Sequence, residues 1–335
     1  MTIFNFLTLL GSLSLFLFGM SVMGTALEKR AGGSLKAILA KLTNGKFSGL
    51  LTGLAVTAVI QSSSATTVMV VGFVNSGLMT LKQAIHVIMG ANVGTSVTAW
   101  LLSLAGLDGS SLFIQLLKPS SFTPVLALVG IVLIMAGKER QKDTGSILLG
   151  FAVLMYGMEA MSGAVSPLRT SESFRSLLLL FSNPILGVLA GAVFTAIIQS
   201  SSASVGVLQA LASTGAITMA SAIPIIMGQN IGTCVTAMLS SIGANTNAKR
   251  AAVVHLSFNI IGTAVMLIIF CVVRVMLQPA FLSLPATAAT IAVAHSLFNI
   301  VCTAILMPAS GLLEKLSIAL VPDKSTHHAD GPMLD

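Results

Sequence analysis

Thr57-Ala-Val-Ile-Gln61-Ser62-Ser63-Ser64-Ala-Thr66 returns 138 residues later as Thr195-Ala-Ile-Ile-Gln199-Ser200-Ser201-Ser202-Ala-Ser204. Each copy sets four polar, uncharged side chains into apolar sequence. A second matched pair keeps the same offset, Gly90-Ala-Asn92-Val-Gly94-Thr95 and Gly228-Gln-Asn230-Ile-Gly232-Thr233. Without a gap, Thr57–Ala99 and Thr195–Ala237 share 21 of 43 positions. Further back, Leu13-x3-Leu17-Phe-Gly-Met20-x2-Met23 pairs with Phe151-x3-Met155-Tyr-Gly-Met158-x2-Met161. The chain is an internal duplication.

Composition supplies the solvent in which this duplication works. Of the 335 residues, 55% are apolar and 8% charged, whereas a soluble domain carries about 25% charged residues. Apolar stretches near the length of a bilayer crossing recur throughout, so the expected fold is an all-α polytopic membrane protein. The excess of 17 Lys and Arg over 10 Asp and Glu falls mostly in short connections. It reads as membrane topology rather than nucleic-acid binding. Cys234, Cys271 and Cys302 show no paired spacing, which argues for small packing residues and against a disulfide or transition-metal site. Met1–Phe18 lacks a basic start and the apolar run continues to Leu27, so the segment reads as a retained span rather than a signal peptide.

Spans are expected at residues 3–27, 81–104, 122–137, 147–165, 216–242, 251–273 and 286–307, with the basic segment after Leu27 lying on the membrane surface. Phe47–Ile60 and the run from Ala65 to Gly77 are too short to cross and meet at Gln61–Ser64, which predicts a re-entrant hairpin. The second quartet predicts another. Gly90 and Gly94 are expected to break the span that follows the first hairpin, and their counterparts the span that follows the second. Basic segments at 28–46, 138–142 and 249–250 belong on one side, opposite the nearly neutral 166–182. Each repeat thus holds a hairpin and a broken helix, and the two run in opposite senses. The expected division is 1–138 first inverted repeat, 139–278 second, 279–310 a C-terminal helix and 311–335 a cytoplasmic tail, with the N-terminus outside. Inverted repeats of this kind are a transporter arrangement, with sites near the midplane.

The quartets are the candidate site. Buried glutamine amides cost several kcal/mol unless paired, so repetition at two hairpin tips favours binding over packing. Helices restarting after a tip expose unpaired N–H groups that welcome an anion, and the hydroxyls of Ser62–Ser64 and Ser200–Ser202 also donate. The same hydroxyls and carboxamide oxygens suit a small hard cation. Gln199, Asn230, Thr233 and Thr236 are the cation candidates in the second copy. Thr57, Ser103 and Ser213 read as packing. Glu159, inside a span, is either a helix-end or cavity-facing group or a coupling residue. His255-x-x-Phe258-Asn259 and His295-x-x-Phe298-Asn299 put His and Asn on one helical face, to bond neighbouring helices or line a pathway. His86 aligns with Pro224, which argues against a role shared by the repeats.

Paired Gln-Ser-Ser-Ser and Gly-x-Asn-x-Gly-Thr motifs, followed by His-x-x-Phe-Asn, resemble the bacterial branch of the type II sodium-dependent phosphate cotransporters. The resemblance runs from Phe16 to about Met307. It implies a symporter importing inorganic phosphate with Na+, needing no other cofactor, in the cytoplasmic membrane and in contact with its lipids. It also implies a homodimer and a PhoU-like regulatory domain or protein as partner. Gln61–Ser64 and Gln199–Ser202 would hold phosphate, with Asn92, Thr95, Gln199, Asn230, Thr233 and Thr236 at the sodium sites. Two features depart from the family. The first half has no His-x-x-Phe-Asn at the matching offset, Leu117–Thr123, which leaves the ion ratio open. The sequence also stops at Asp335, near where a PhoU-like domain would begin; a natural short form and a truncated chain both fit. Rival readings are a carrier of sulfate or a carboxylate, and a phosphate sensor or scaffold. An intramembrane hydrolase is disfavoured, because no Gly-x-Ser-x-Gly elbow is present.

Overall fold

Fifteen α-helices make up residues 2–41, 43–107 and 109–323, the part of the chain that the computed structural model describes. Seven helical stretches are long and apolar enough to cross a bilayer: Ile3–Ala31, Leu81–Gly106, Leu112–Ala136, Glu139–Thr170, Met219–Ser240, Thr246–Met276 and Ala288–Leu306. They contain α1 (Ile3–Lys41), α4 (Leu81–Ser103), α5 (Leu112–Leu117), α6 (Pro119–Ala136), α7 (Glu139–Val165), α11 (Met219–Gly232), α12 (Cys234–Ser240), α13 (Thr246–Met276) and α14 (Ala288–Leu306). The expected spans are therefore all present.

The two short pairs also form. Helices α2 (Lys46–Ile60), α3 (Ser63–Asn75), α9 (Pro184–Ile198) and α10 (Ser201–Ala212) are about 18–22 Å long at 1.5 Å per residue, short of a ~30 Å hydrocarbon core. The remaining helices are α8 (Glu172–Leu180) and α15 (Ser310–Leu320).

Three expectations need correction. The basic segment after Leu27 is no separate surface piece, because α1 runs unbroken to Lys41 and buries Leu39 there. Residues 311–320 belong to α15, which packs on α13 and buries Leu313 and Ser317. The rest of the supposed tail, from residue 324, lies outside the described residues. Finally, α4 is continuous through Gly90 and Gly94; only the second copy is interrupted, at Thr233 between α11 and α12.

Packing explains the glycines that composition alone reads as breaks. A Cβ on Gly90 would sit 1.9 Å from the Leu50 carbonyl oxygen of α2, and one on Gly53 would sit 2.0 Å from that of Val87. The second pair repeats this contact: Gly228 to Val188 at 1.9 Å and Gly191 to Ile225 at 2.1 Å. Small residues let membrane helices approach backbone to backbone. The glycines thus press each hairpin's first arm against the span that follows it. Helices α1 and α7 meet the same way, with Gly157 against the Phe16 backbone and Gly19 against that of Leu154.

Three ties fix the ends. Lys29 of α1 bonds Asp143 at 2.9 Å and Glu139 at 3.4 Å on α7, bringing the 28–46 and 138–142 segments to one end. The α3 terminus joins them through the α13 N-cap: Asn245 donates its backbone N–H to Asn75 Oδ1 and its side chain to Asn75 O, both at 2.8 Å. The base of the second hairpin is held by the far end of α13, where Arg274 donates to Ser182 O at 2.7 Å.

Gly90→Ala or Gly228→Ala should cost about 1–3 kcal/mol through overpacking and lower the unfolding temperature in detergent by several degrees. Gly72→Ala, whose Cβ meets nothing within 4 Å, should leave it unchanged or raised. Equal behaviour of all three in a thermal-shift measurement contradicts the packing role.

Candidate functional site

Each hairpin turns on a glutamine. Gln61 and Gln199 adopt φ 57° and 58°, and Gln278 is the other non-glycine residue with positive φ among the described residues. That left-handed conformation costs a side-chain-bearing residue about 1–2 kcal/mol, so its appearance at both tips marks a shared constraint. Gln61 N–H closes α2 on Thr57 O at 2.8 Å, and Gln199 N–H closes α9 on Thr195 O at 2.7 Å. The next serine is extended and caps the following helix: Ser62 Oγ accepts from Ala65 N–H at 3.1 Å, and Ser200 Oγ accepts from Ala203 N–H at 3.2 Å. Helices α3 and α10 therefore restart at Ser63 and Ser201, one residue earlier than the end of each quartet.

A buried bond staples the arms below each tip. Thr57 Oγ1 donates to Thr66 Oγ1 at 2.9 Å, and Thr195 Oγ1 donates to Ser204 Oγ at 2.7 Å. Thr57, which the sequence assigns to packing, is thus part of the device that shapes the tip. The signal was present in the 138-residue repeat, whose polar type persists at Thr66 and Ser204.

The tips meet in space. A cavity of about 270 Å³ is lined by Gln61 and Ser62 from the first tip and Ser200 from the second, with Met20, Gly24 and Thr25 of α1 beside them. Glu28 is the charged residue in its wall and is exposed, next to the Lys29 end of the protein. The side-chain oxygen of Gln61 is buried without a partner, while its amide donates to Ala58 O. Ser63, Ser201 and Ser202 are buried, Ser64 is half-buried and Gln199 is exposed; none of these five lines the cavity. The contribution of α1 was missed in the sequence, where small residues at Ser21, Gly24 and Thr25 carry no distinctive pattern.

The Gly-x-Asn-x-Gly-Thr segments lie behind the tips. Asn92 and Asn230 donate their amides back to Ile88 O and Ile226 O at 3.0 and 2.9 Å, and Thr95 donates to Ala91 O at 3.1 Å. Spending the NH₂ group in this way leaves each carboxamide oxygen as an acceptor. In the second copy, Thr236 Oγ1 reaches Gln199 O at 3.4 Å, and the buried Thr233 Oγ1 and Gln229 Oε1 have no partner. Glu159 is exposed on α7 and does not line the cavity.

An all-helical membrane protein in which two uncharged, hydroxyl-bearing tips share one cavity has the form of a carrier for small ions. Comparison with known proteins makes this specific. The chain belongs to the Na+/Pi-cotransporter family, whose profile matches residues 15–163 and again 153–300. It is 29% identical over 253 residues to the uncharacterized protein YqeW of Bacillus subtilis, covering 75% of this chain and 78% of that one. It is likewise 29% identical over 263 residues to YjbB of Salmonella typhimurium, whose name assigns it, provisionally, to inorganic phosphate export. That match covers 78% of this chain but 46% of the relative, so the chain spans about half the length of YjbB. Rat sodium-dependent phosphate transport protein 2A shares 42% identity over 99 residues, 29% of this chain and 15% of the relative. No solved structure matches the chain.

In a variant lacking Cys234, Cys271 and Cys302, a cysteine placed at Ser62 or Ser200 should react with a water-soluble methanethiosulfonate. One placed at Thr66, which is fully buried, should not. Labelling of Thr66→Cys as fast as of Ser62→Cys contradicts the cavity described here.

Proposed function

We propose that the chain is a Na+-coupled symporter of inorganic phosphate, binding substrate and ion between the two Gln-Ser-Ser-Ser tips. The observation that carries this reading is the joint lining of one cavity by Gln61, Ser62 and Ser200. Residues 138 apart in the sequence become two walls of a site. In that cavity phosphate meets the hydroxyls of Ser62 and Ser200, the Gln61 side chain and N–H groups at the start of α3, which have no intrahelical acceptor; Ser63, Ser64, Gln199, Ser201 and Ser202 lie outside its wall. The cavity wall offers no lysine or arginine, so the compensating positive charge is Na+.

Sodium is assigned to Asn92, Thr95, Gln199, Asn230, Thr233 and Thr236. Their free oxygens are hard ligands. An anion and a cation entering together offset each other's desolvation, because neither then faces a low-dielectric wall alone. Support for Na+ and phosphate comes from the family and from the printed names of its members. Support for the inverted arrangement comes from the opposite attachment of the hairpin bases, the first at the Lys29 end and the second at Arg274.

The Lys29 end is assigned to the cytoplasm because inner loops collect lysine and arginine. This puts the N-terminus outside, the C-terminus inside and the protein in the cytoplasmic membrane. Direction follows from the gradient: with Na+ high outside, coupled movement is inward. A symporter reverses when the gradient does.

Phosphate uptake into proteoliposomes should require an inward Na+ gradient, and should fall at least about tenfold in Gln61→Ala, the loss expected from removing one buried hydrogen-bonding group; Gln199→Ala, at an exposed side chain proposed to hold Na+, should raise the half-saturating Na+ concentration. Wild-type uptake indifferent to Na+, or preferring sulfate, overturns the proposal.

A further inference from the structure

The first half of the chain has no His-x-x-Phe-Asn motif at the offset where the second half carries one. The structure shows what stands in that place. His255–Met266 on α13 and His295–Leu306 on α14 are identical at 6 of 12 positions, with His, Phe, Asn and Thr in the same register. The two helices touch through equivalent residues: a Cβ on Gly262 would lie 2.9 Å from Cys302 Sγ, and 262 matches 302 in this register. One small cleft between them is lined by Gly262, Val265 and Met266 from α13 and by Cys302, Ile305 and Leu306 from α14. These are three pairs of equivalent positions. Like meeting like is what a two-fold relation produces.

Their outer partners obey the same relation. Apart from α15 on α13 and the 104–106 turn on α14, helix α13 packs on α3, α4, α11 and α12 and α14 packs on α10, α11 and α4, which correspond when the repeats are exchanged. The polar contacts match at the asparagines and differ at the histidines, where Ser96 meets the His295 ring and Cys234 the His255 carbonyl. Cys234 of α12 accepts from Asn259 Nδ2 at 3.3 Å and lies 3.5 Å from His255 O. Ser96 of α4, 138 residues before Cys234, lies 3.1 Å from His295 Nδ1 and accepts from Asn299 Nδ2 at 3.4 Å. Asn259 and Asn299 each donate to the carbonyl of the histidine one turn back at 2.9 Å. Asn259 Oδ1 and Asn299 Oδ1 are both buried and unpaired. Helix α6, which occupies the expected place in chain order, instead lies along α7, where Gly130 approaches the Gly145 backbone.

We infer that α14 is the closing helix of the first repeat, delivered from the far end of the chain, and that the His295 ring and Asn299 position α4 through Ser96 as Asn259 and the His255 carbonyl position α12 through Cys234. The division at residue 279 therefore separates α14 from the half it serves. Each span behind a hairpin is held on two faces. Gly90 and Gly94 seat α4 on α2, and Ser96 seats it on α14; Gly228 and Gly232 seat α11 on α9, and Cys234 seats α12 on α13. Gln209 of α10 secures the α14 start by donating to Ala99 O and Ala288 O, both at 3.0 Å. His295 and Asn299 are positioning residues: they fix the helix that carries Asn92 and Thr95, and bind no substrate themselves.

The transport arm of the test rests on the proposed phosphate symport; the cross-linking arm does not. In a variant free of native cysteines, Val265→Cys with Ile305→Cys should form an intramolecular disulfide on oxidation, and its absence in folded protein overturns the two-fold relation. In proteoliposomes, Ser96→Ala should raise the half-saturating Na+ or phosphate concentration about tenfold by removing the hydroxyl that ties α4 to the His295 ring and Asn299, with the unfolding temperature near wild type. Ser96→Cys, the residue the second repeat uses, should restore it to within about twofold. A Ser96→Cys variant as impaired as Ser96→Ala, or a Ser96→Ala variant with wild-type saturation, overturns the positioning role. Failure of the wild-type protein to transport phosphate with Na+ overturns the functional proposal, and leaves the cross-link to decide the helix assignment.

Discussion

Two helices end partway through the hydrocarbon, at Gln61 and Gln199, and the rest of the fold exists to make those ends tolerable. Lipid cannot satisfy a free N–H or C=O group. Each end is therefore closed by a left-handed glutamine cap, restarted by a serine N-cap and held by a buried hydroxyl staple. Glycines then bring the next span against the first arm of each hairpin, backbone to backbone. At the first tip the buried Gln61 side-chain oxygen is left without a partner.

Much of this was legible in the sequence because the duplication spells it twice. Short apolar arms around Gln61 and Gln199 gave the hairpins, and the hydropathy runs gave the seven spans. Gly90 and Gly94 were misread: a glycine in a membrane helix can mark a break or a close approach, and only the partner backbone at Leu50 tells them apart. The unbroken course of α1 to Lys41 was hidden for a different reason. Charges at residues 28–30 look like a membrane boundary, yet the helix continues past them because Lys29 and Arg30 find partners on α7. The cavity wall from α1 was also invisible, since Ser21, Gly24 and Thr25 are ordinary interface residues until the hairpin tip is set against them.

Symmetry gives the site its chemical character. Neither tip alone surrounds a ligand. Two tips, equivalent in backbone but unequal in what stands behind them, supply hydroxyls from both sides while the segments after them offer different oxygens. Thr236 reaches Gln199 O in the second half while its counterpart Thr98 has no partner, and Thr95 bonds its own helix while its counterpart Thr233 has no partner.

The central claim is that the two quartets form one site and not two. Equilibrium binding of radiolabelled phosphate to the purified protein measures this directly. The account predicts one phosphate per chain, bound in the presence of Na+ and lost when either Ser62 or Ser200 is replaced by a bulky residue. Two phosphates per chain, or one that survives the replacement of either serine, would contradict it.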